Sequence, residues 1–289
     1  MRTILIALLS WLPISLGALE ASAQPAMWTV RGPHAVAVLF GSVHLLPPGL
    51  DWESPALKQA IAQADEIWFE LPIGPATDRQ VQLIASRKGR LPAGDSLFKH
   101  LTPEQVGRLR SVCASLGIPL ASIAPLRPWM ADVLLSVAQD MRAGARSGQG
   151  VEEQLSSQAL PTTARHAFET VELQINVLAD TSMSDQIGAL NDTLAEISDD
   201  PGLFDRAVKE WLSADLAGLA KDAMDPIAKT SPNIYRRLVT DRNQRWADIL
   251  SERLKGGGAI VVVVGSGHLL GPAGVPALLR ARGYAVEGP

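Results

Sequence analysis

The chain has 289 residues, and its 26 basic and 30 acidic side chains give a formal net charge of −4 at pH 7. This balance argues against a nucleic-acid-binding protein, because such proteins present a basic surface. Hydrophobic residues make up 47% of the chain and charged residues 19%, which favours a globular protein over a disordered one.

The first 23 residues have the features of a secretory signal peptide. Arg2 gives a positive start, residues 4–19 are mostly apolar, and Ala21-Ser-Ala23 matches a signal-peptidase site. We therefore predict cleavage after Ala23, a periplasmic or secreted protein, and no membrane span after cleavage. A membrane anchor is the alternative, which the short apolar run, interrupted by Pro13, disfavours. Cys113 is the single cysteine, so packing without an internal disulfide must stabilise the exported chain.

The spacing of apolar and turn residues at the start of the predicted domain indicates a β-hairpin over residues 27–31 and 35–40. A helix over residues 54–64 and a strand over residues 67–71 are predicted to follow. A strand–helix–strand unit of this kind normally forms a right-handed crossover with parallel strands. The chain from about residue 101 to 255 then becomes almost wholly helical. Predicted helices in this part cover residues 102–116, 128–142, 151–159, 169–179, 182–197, 203–223 and 232–255.

In the last segment of the chain, the apolar pattern predicts a strand over residues 259–264, a helix over residues 274–282 and a short strand over residues 284–287. The fold class is therefore α/β, with a split central β-sheet built from both chain ends and a large helical insertion at about residues 101–255. Residues 24–289 are expected to form a single domain.

The sequence contains two copies of one motif, Gly-Ser-x-His, each directly after an apolar run. The apolar, β-branched run 259–264 suits a strand buried on both faces and leads directly into Gly265-Ser-Gly-His268. Another apolar run leads into Gly41-Ser-Val-His44, 224 residues earlier (268 minus 44). Open α/β sheets place ligands beyond the carboxyl ends of their strands, so the two imidazoles are expected to share a site. A single histidine of this kind would more simply be a hydrogen-bonded turn residue, and it is the repetition that favours a site.

Glu70 is the expected third member of this site. It ends an otherwise apolar strand, where an unpaired carboxylate would be costly to bury. Two imidazoles, His44 and His268, with one carboxylate suit a divalent metal ion such as Zn, Mn, Co or Fe(II), with positions open for water. The alternative is that Glu70 caps a helix or pairs with an arginine.

The helical insertion supplies four candidate catalytic residues. Glu152 or Glu169 could act as the general base, while Arg242 and Asn243 could bind a substrate carboxylate or an oxyanion. Arg242 could instead neutralise Glu70 or Glu169. Solvated carboxylates at helix starts and an ordinary surface helix are the simpler alternatives. The remaining histidines are expected at the surface: His34, His100 and His166.

Together these motifs resemble the TraB/GumN family, which is related to the Tiki metalloproteases and more remotely to erythromycin-esterase-like and haem-binding ChaN-like proteins. The resemblance implies an α/β core centred on two Gly-x-x-His motifs and a glutamate, and, for the Tiki branch, metal-dependent peptide hydrolysis. Two departures are Ser42, where threonine is frequent, and Glu152, where aspartate is usual. The matching residues are Gly41-Ser-Val-His44, Glu70, Gly150-Val-Glu152, Glu169-Thr-x-Glu172-x-Gln174, Arg242-Asn243 and Gly265-Ser-Gly-His268.

The leading hypothesis from the sequence is an exported metal-dependent hydrolase, favoured as a peptidase, that acts on a peptide or small-molecule substrate. A divalent ion (Zn, Mn or Co) held by His44, Glu70 and His268 would lower the pKa of a bound water and polarise the scissile carbonyl. Two alternatives stay open. One is a metal-free, esterase-like hydrolase with a histidine base, and the other is a non-enzymatic protein that binds haem or a peptide.

Overall fold

The centre of the fold is one six-stranded mixed sheet. The computed structural model describes residues 24–289, so the predicted signal peptide and its cleavage site lie outside the described residues. The strands are β1 (Met27–Arg31), β2 (His34–Ser42), β3 (Glu66–Phe69), β4 (Ala164–Ala167), β5 (Gly257–Gly265) and β6 (Ala285–Glu287). Their order across the sheet is β4-β3-β5-β2-β1-β6.

Strand β5 lies between β2 and β3 and runs parallel to both. Its register with β2 extends from Gly257 opposite His34 to Gly265 opposite Ser42. Residues 260–264 are at most 1% exposed, as expected for a β-branched run covered on both faces. The predicted α/β fold, with a sheet built from both ends of the chain, is thereby confirmed.

Helices cover the sheet and form the long middle part of the chain. Several begin with the predicted signals, such as the capping box of Thr102 and Gln105 followed by Pro103. No helix within residues 24–289 is long and apolar enough to cross a membrane. The helices are α1 (Pro55–Gln63), α2 (Pro75–Lys88), α3 (Pro103–Leu116), α4 (Leu120–Ile123), α5 (Pro128–Arg142), α6 (Val151–Gln158), α7 (Val171–Ala179), α8 (Met183–Asp199), α9 (Leu203–Leu212), α10 (Leu216–Leu219), α11 (Asp225–Thr230), α12 (Pro232–Tyr235), α13 (Asp241–Arg253) and α14 (Val275–Ala281).

Three details differ from the predicted elements. β4 is a strand within the part predicted to be helical, and its residues are mostly exposed at the sheet edge, so no apolar alternation marks it. The predicted helix 203–223 is broken after α9, where Ala214 takes a positive φ of 54°. The predicted helix 232–255 is interrupted by a π-helical turn, Arg236–Thr240, immediately before α13.

The apolar side chains form three clusters. One packs on each face of the sheet, around Phe40 and Phe69 on one side and Trp246 and Leu250 on the other. The third contains only residues outside the strands, mainly from α3, α5 and α8, and it includes Cys113. The helical insertion therefore has a core of its own, and the thiol of Cys113 is a buried core group.

Asp140, near the end of α5, gives a pH-dependent prediction for this helical core. Its carboxyl has no hydrogen-bond partner among residues 24–289, and burial raises its pKa to about 6. The folded state therefore holds a proton that the unfolded chain, with an aspartate pKa of about 3.9, releases. The contribution of Asp140 to stability is therefore expected to rise as the pH falls from about 6 to about 4. Asp140→Asn should raise the free energy of unfolding at pH 7.5 by about 1–2 kcal/mol and flatten this pH dependence. Urea unfolding from pH 4 to 8 measures both effects, and the exposed Asp199→Asn should change neither.

Candidate functional site

The predicted site residues meet beyond the carboxyl ends of the four parallel strands. His44, Glu70, Glu169 and His268 follow β2, β3, β4 and β5 by one to three residues each. The two Gly-x-x-His turns also touch directly, since Ser266 Oγ donates a 2.8 Å hydrogen bond to the carbonyl of Ser42. The aligned register of β2 and β5 thus places the two motifs side by side.

Gly265 marks the point on which three of these side chains converge. A Cβ built there would lie 3.2 Å from Glu70 Oε1, 3.7 Å from His268 Cδ2 and 3.8 Å from His44 Nε2. The backbone N–H of Gly265 donates to Glu70 Oε1 over 2.8 Å. The structure therefore brings His44, Glu70 and His268 together at one place.

His44 and Glu152 form a close pair at the open side of this place. His44 Nδ1 lies 2.6 Å from Glu152 Oε1, which also accepts a 2.6 Å hydrogen bond from Ser42 Oγ. The charge of Glu152 raises the pKa of His44 to about 9, against a smaller opposing effect of desolvation. Since 67% of the His44 side chain is exposed, its Nε2 edge remains accessible from solvent. The pair therefore presents an oriented imidazole with one free ring nitrogen.

Helix α6 delivers Glu152 to this position. Its first residue, Val151, donates from its N–H to the carbonyl of Val43, within the first motif. Gly150 allows the approach, because a Cβ at that position would lie 2.4 Å from the carbonyl oxygen of His44. Glu152 is 9% exposed. Burial raises its pKa, but the charge of His44 together with the hydrogen bonds from His44 and Ser42 outweighs that rise, so the net shift is downward.

Arg242, on α13, is the buried centre of the charged residues. Its Nη2 lies 2.6 Å from Glu70 Oε2, and its Nε lies 3.0 Å from both oxygens of Glu169. Burial raises the pKa of Glu70, but the charges of His268, Arg242 and His44 outweigh it and hold that pKa at about 2. Glu70 and Glu169 thus share one guanidinium as their partner, which is the pairing that a buried carboxylate requires.

The hydrogen bonds of His268 define its tautomer. Asn243 donates from Nδ2 to the carbonyls of His268 and Ala273, so its Oδ1, 2.6 Å from His268 Nδ1, must accept a hydrogen bond from the ring N–H. Nε2 is then the unprotonated nitrogen, and Arg242 Nη1 donates to it over 3.1 Å. Burial lowers the pKa of His268 to about 4, so the ring is neutral at physiological pH.

Comparison with known proteins assigns the chain to a family. A family model described as the TraB/PrgY/gumN family matches residues 26–288. The chain belongs to the TraB/PrgY/gumN family. The resemblance inferred from the two Gly-x-x-His motifs is thereby confirmed.

Curated members of the TraB/PrgY/gumN family with detectable similarity are distant. The uncharacterized protein YbaP of Escherichia coli K12 is 26% identical over 245 residues, which cover 84% of this chain and 87% of YbaP. YbaP of Shigella flexneri gives the same values. An uncharacterized protein of Treponema pallidum is 22% identical over 284 residues, covering 93% of this chain and 84% of that protein. No solved structure matches the chain. These names carry no activity, so any function for this member has to be argued from its site.

Two of the residues singled out in the sequence have contacts that differ from their predicted roles. Glu169, predicted as a possible base, is buried and accepts hydrogen bonds from Arg242, Arg245 and Trp246. Asn243, predicted to bind substrate, is fully buried, and both polar atoms of its amide contact His268 or Ala273. Their contacts are those of residues that position Arg242 and His268.

Three members of the site were not predicted to belong to it. Ser42 donates to Glu152, Gln174 Nε2 donates to Glu70 Oε2 over 2.9 Å, and the Trp246 ring lies 4.4 Å from the His268 ring. Gln174 follows Glu70 by 104 residues, so spacing alone could not pair them. Trp246 does have a signal, because it lies four residues after Arg242 and therefore on the same helix face.

A metal ion does not fit the donor atoms as they are arranged. Within residues 24–289, no group of three or more His, Cys, Asp or Glu side chains has the geometry to hold a metal ion. Arg242 Nη1 occupies the lone-pair side of His268 Nε2, and the oxygens of Glu70 accept from Arg242, Gln174 and Gly265. A cation would have to replace the guanidinium, which already supplies the positive charge at this position.

Proposed function

We propose that this protein is an exported hydrolase in which the His44–Glu152 pair activates a water molecule for attack on an acyl carbonyl. The observation that carries the proposal is the 2.6 Å contact of His44 Nδ1 with Glu152 Oε1 beside a solvent-open Nε2. An imidazole oriented by a carboxylate on one nitrogen and free on the other is the arrangement that a general base needs.

The chemistry of the pair follows from its charges. With Glu152 at Nδ1, the unprotonated Nε2 of His44 can remove a proton from a water molecule as that water attacks the carbonyl. The resulting imidazolium is stabilised by the Glu152 carboxylate, which stays ionised. In the second half of the reaction, the same Nε2–H can protonate the leaving group. No nucleophilic side chain is required, and Ser42 is already committed to Glu152.

The buried guanidinium of Arg242 is placed to stabilise the negative charge that develops at the carbonyl oxygen of the substrate. Arg242 is close enough to His44 for its charge to oppose protonation of that ring. Because Glu70 and Glu169 fix the guanidinium, it does not have to reorganise when charge develops nearby. We therefore propose Arg242 as the electrostatic partner of the His44–Glu152 pair.

The metal-dependent hydrolase remains a second candidate for one specific reason. Both imidazoles have an oxygen partner on Nδ1, Glu152 for His44 and Asn243 for His268, so Nε2 is the ring atom that each could offer to a metal ion. Outer partners of this kind are typical of metal-binding histidines. For this candidate, Arg242 would have to withdraw from His268 Nε2.

Metal removal distinguishes the two candidates. The chain from Gln24 onward is stripped with EDTA, its metal content is measured by mass spectrometry, and it is assayed on nitrophenyl esters and fluorogenic peptides. We expect hydrolysis of at least one probe, retained after stripping and lost in His44→Ala. Loss on stripping with recovery on adding Mn²⁺ or Zn²⁺ would establish the metal-dependent hydrolase instead. Absence of any turnover, together with a Soret band on haem titration, would contradict both and favour the binding protein.

A further inference from the structure

The outer face of helix α2 is independent of the site and of its proposed reaction. α2 has 14 residues and none of them is buried, although a helix of this length normally buries one apolar stripe. Its half-buried residues, such as Val81, Ile84 and Lys88, turn one face towards the protein. Lys88 Nζ contacts the Asn176 side chain and lies 3.9 Å from Asp180 Oδ1, so α2 packs beside α7. The opposite face is open.

This open face is basic. Arg79, Leu83 and Arg87 are spaced four residues apart, so they lie in one row along the helix, and Arg90 follows just beyond its end. All four side chains are exposed. Across the described part of the chain, Arg79, Arg87 and Arg90 have no ion-pair or side-chain hydrogen-bond partner. Most other arginines contact a carboxylate or a carbonyl, as Arg31 and Arg253 do.

The same face is also apolar at its centre. Leu83 is 58% exposed between the two arginines of its row, and Leu173 on the neighbouring helix α7 is exposed to the same extent. Ile73, in the turn before α2, is a further exposed large apolar side chain. Among residues 24–289 these are three of only eight such exposed side chains, and Leu83 and Leu173 are the most exposed of them. Basic and apolar groups are therefore combined on one surface.

We infer that the α2 face, defined as Arg79, Leu83, Arg87 and Arg90, docks on a bilayer surface that carries anionic headgroups. The unpaired arginines complement phosphates, and the exposed leucine between them suits the boundary between headgroups and acyl chains. A hydrophilic polyanion would use the arginines but not Leu83. The overall charge of −4 opposes such binding, so the attraction must come from this local cluster.

Vesicle flotation tests the inference. The chain from Gln24 onward, which contains the whole sheet and all three apolar clusters, is mixed with phosphatidylcholine vesicles with or without about one third phosphatidylglycerol. We expect flotation only with the anionic vesicles, and its loss at about 0.5 M salt. Arg79→Gln with Arg87→Gln should weaken the partition coefficient about 30-fold, since each arginine contributes a few-fold to tenfold. Leu83→Ser should weaken it about tenfold.

The chain offers matched controls on other surfaces. Arg110 and Arg142 are exposed and lack an ion-pair partner within residues 24–289, and Met141 is an exposed apolar residue. Arg110→Gln with Arg142→Gln, and Met141→Ser, should leave flotation unchanged. The inference is overturned if the wild-type chain stays with the unbound fraction, floats equally with neutral vesicles, or loses binding as much in these controls. Binding to heparin that Leu83→Ser leaves intact, without flotation, would identify a polyanion site instead.

Discussion

Replacing Arg242 by methionine is expected to lower the free energy of unfolding by about 3–5 kcal/mol, because the change removes the buried cation that pairs with two buried carboxylates. Glu70 and Glu169 are each 6% exposed, and both contact the Arg242 guanidinium at 3.0 Å or less. Methionine fills a similar volume, so the loss measures charge pairing rather than a cavity. Urea unfolding at pH 7.5, followed by circular dichroism, gives the value.

The matched control for this prediction is Arg245→Met. Arg245 contacts the same carboxylate, Glu169, but at 3.4 Å and with 56% of its side chain exposed. Water screens such a pair, so we expect a change of at most about 1 kcal/mol. Equal effects of the two substitutions would contradict the view that Arg242 is the buried centre of the site.

The largest expected effect on activity is that of His44→Ala, which should lower kcat/KM for any hydrolysed probe by about 10²–10⁴-fold. Because the base form of His44 is required, activity should rise with pH through a pKa of about 9. Glu152→Gln keeps an oxygen near Nδ1 but removes the charge that raises this pKa. The pH profile of that variant should therefore shift towards the ordinary histidine value of about 6.5.

Two measurements separate this result from general damage to the fold. The ring resonances of His44, followed by NMR against pH, report its titration without any substrate. His100→Ala serves as the control, because His100 pairs with Asp95 outside the site, and it should leave both the rate and the pH profile unchanged. A pH profile of Glu152→Gln that matches the wild type would rule out the pair as the base.

The sequence predicts the sheet well because its central strand has a strong signal. The β-branched run Val261–Val264 predicts a buried strand, and two similar Gly-Ser-x-His turns place their histidines at the same edge of the sheet. β4 carries no such signal, since Arg165 and His166 are exposed on an edge strand of four residues. Helix α2 escaped prediction for a similar reason, because it buries no residue and lacks an apolar stripe.

Which residues would meet at the site was predictable, but their pairing was not. His44, Glu70 and His268 follow strand ends, so topology alone brings them together. The choice between a metal ion and a guanidinium at the centre depends on where α13 directs Arg242, and no spacing in the sequence encodes that. The partners of Glu152 and Asn243 depend likewise on contacts between residues 25 to 110 positions apart.

The register of β2 with β5 has a consequence for when the protein can first become active. The hydrogen bond between Ser42 and Ser266 joins residues 224 positions apart, and β5 inserts between β2 and β3, which are both made early. An incomplete nascent chain therefore has a gap in its sheet and no assembled site. Such late closure favours slow folding, and the site cannot assemble until β5 has been synthesised.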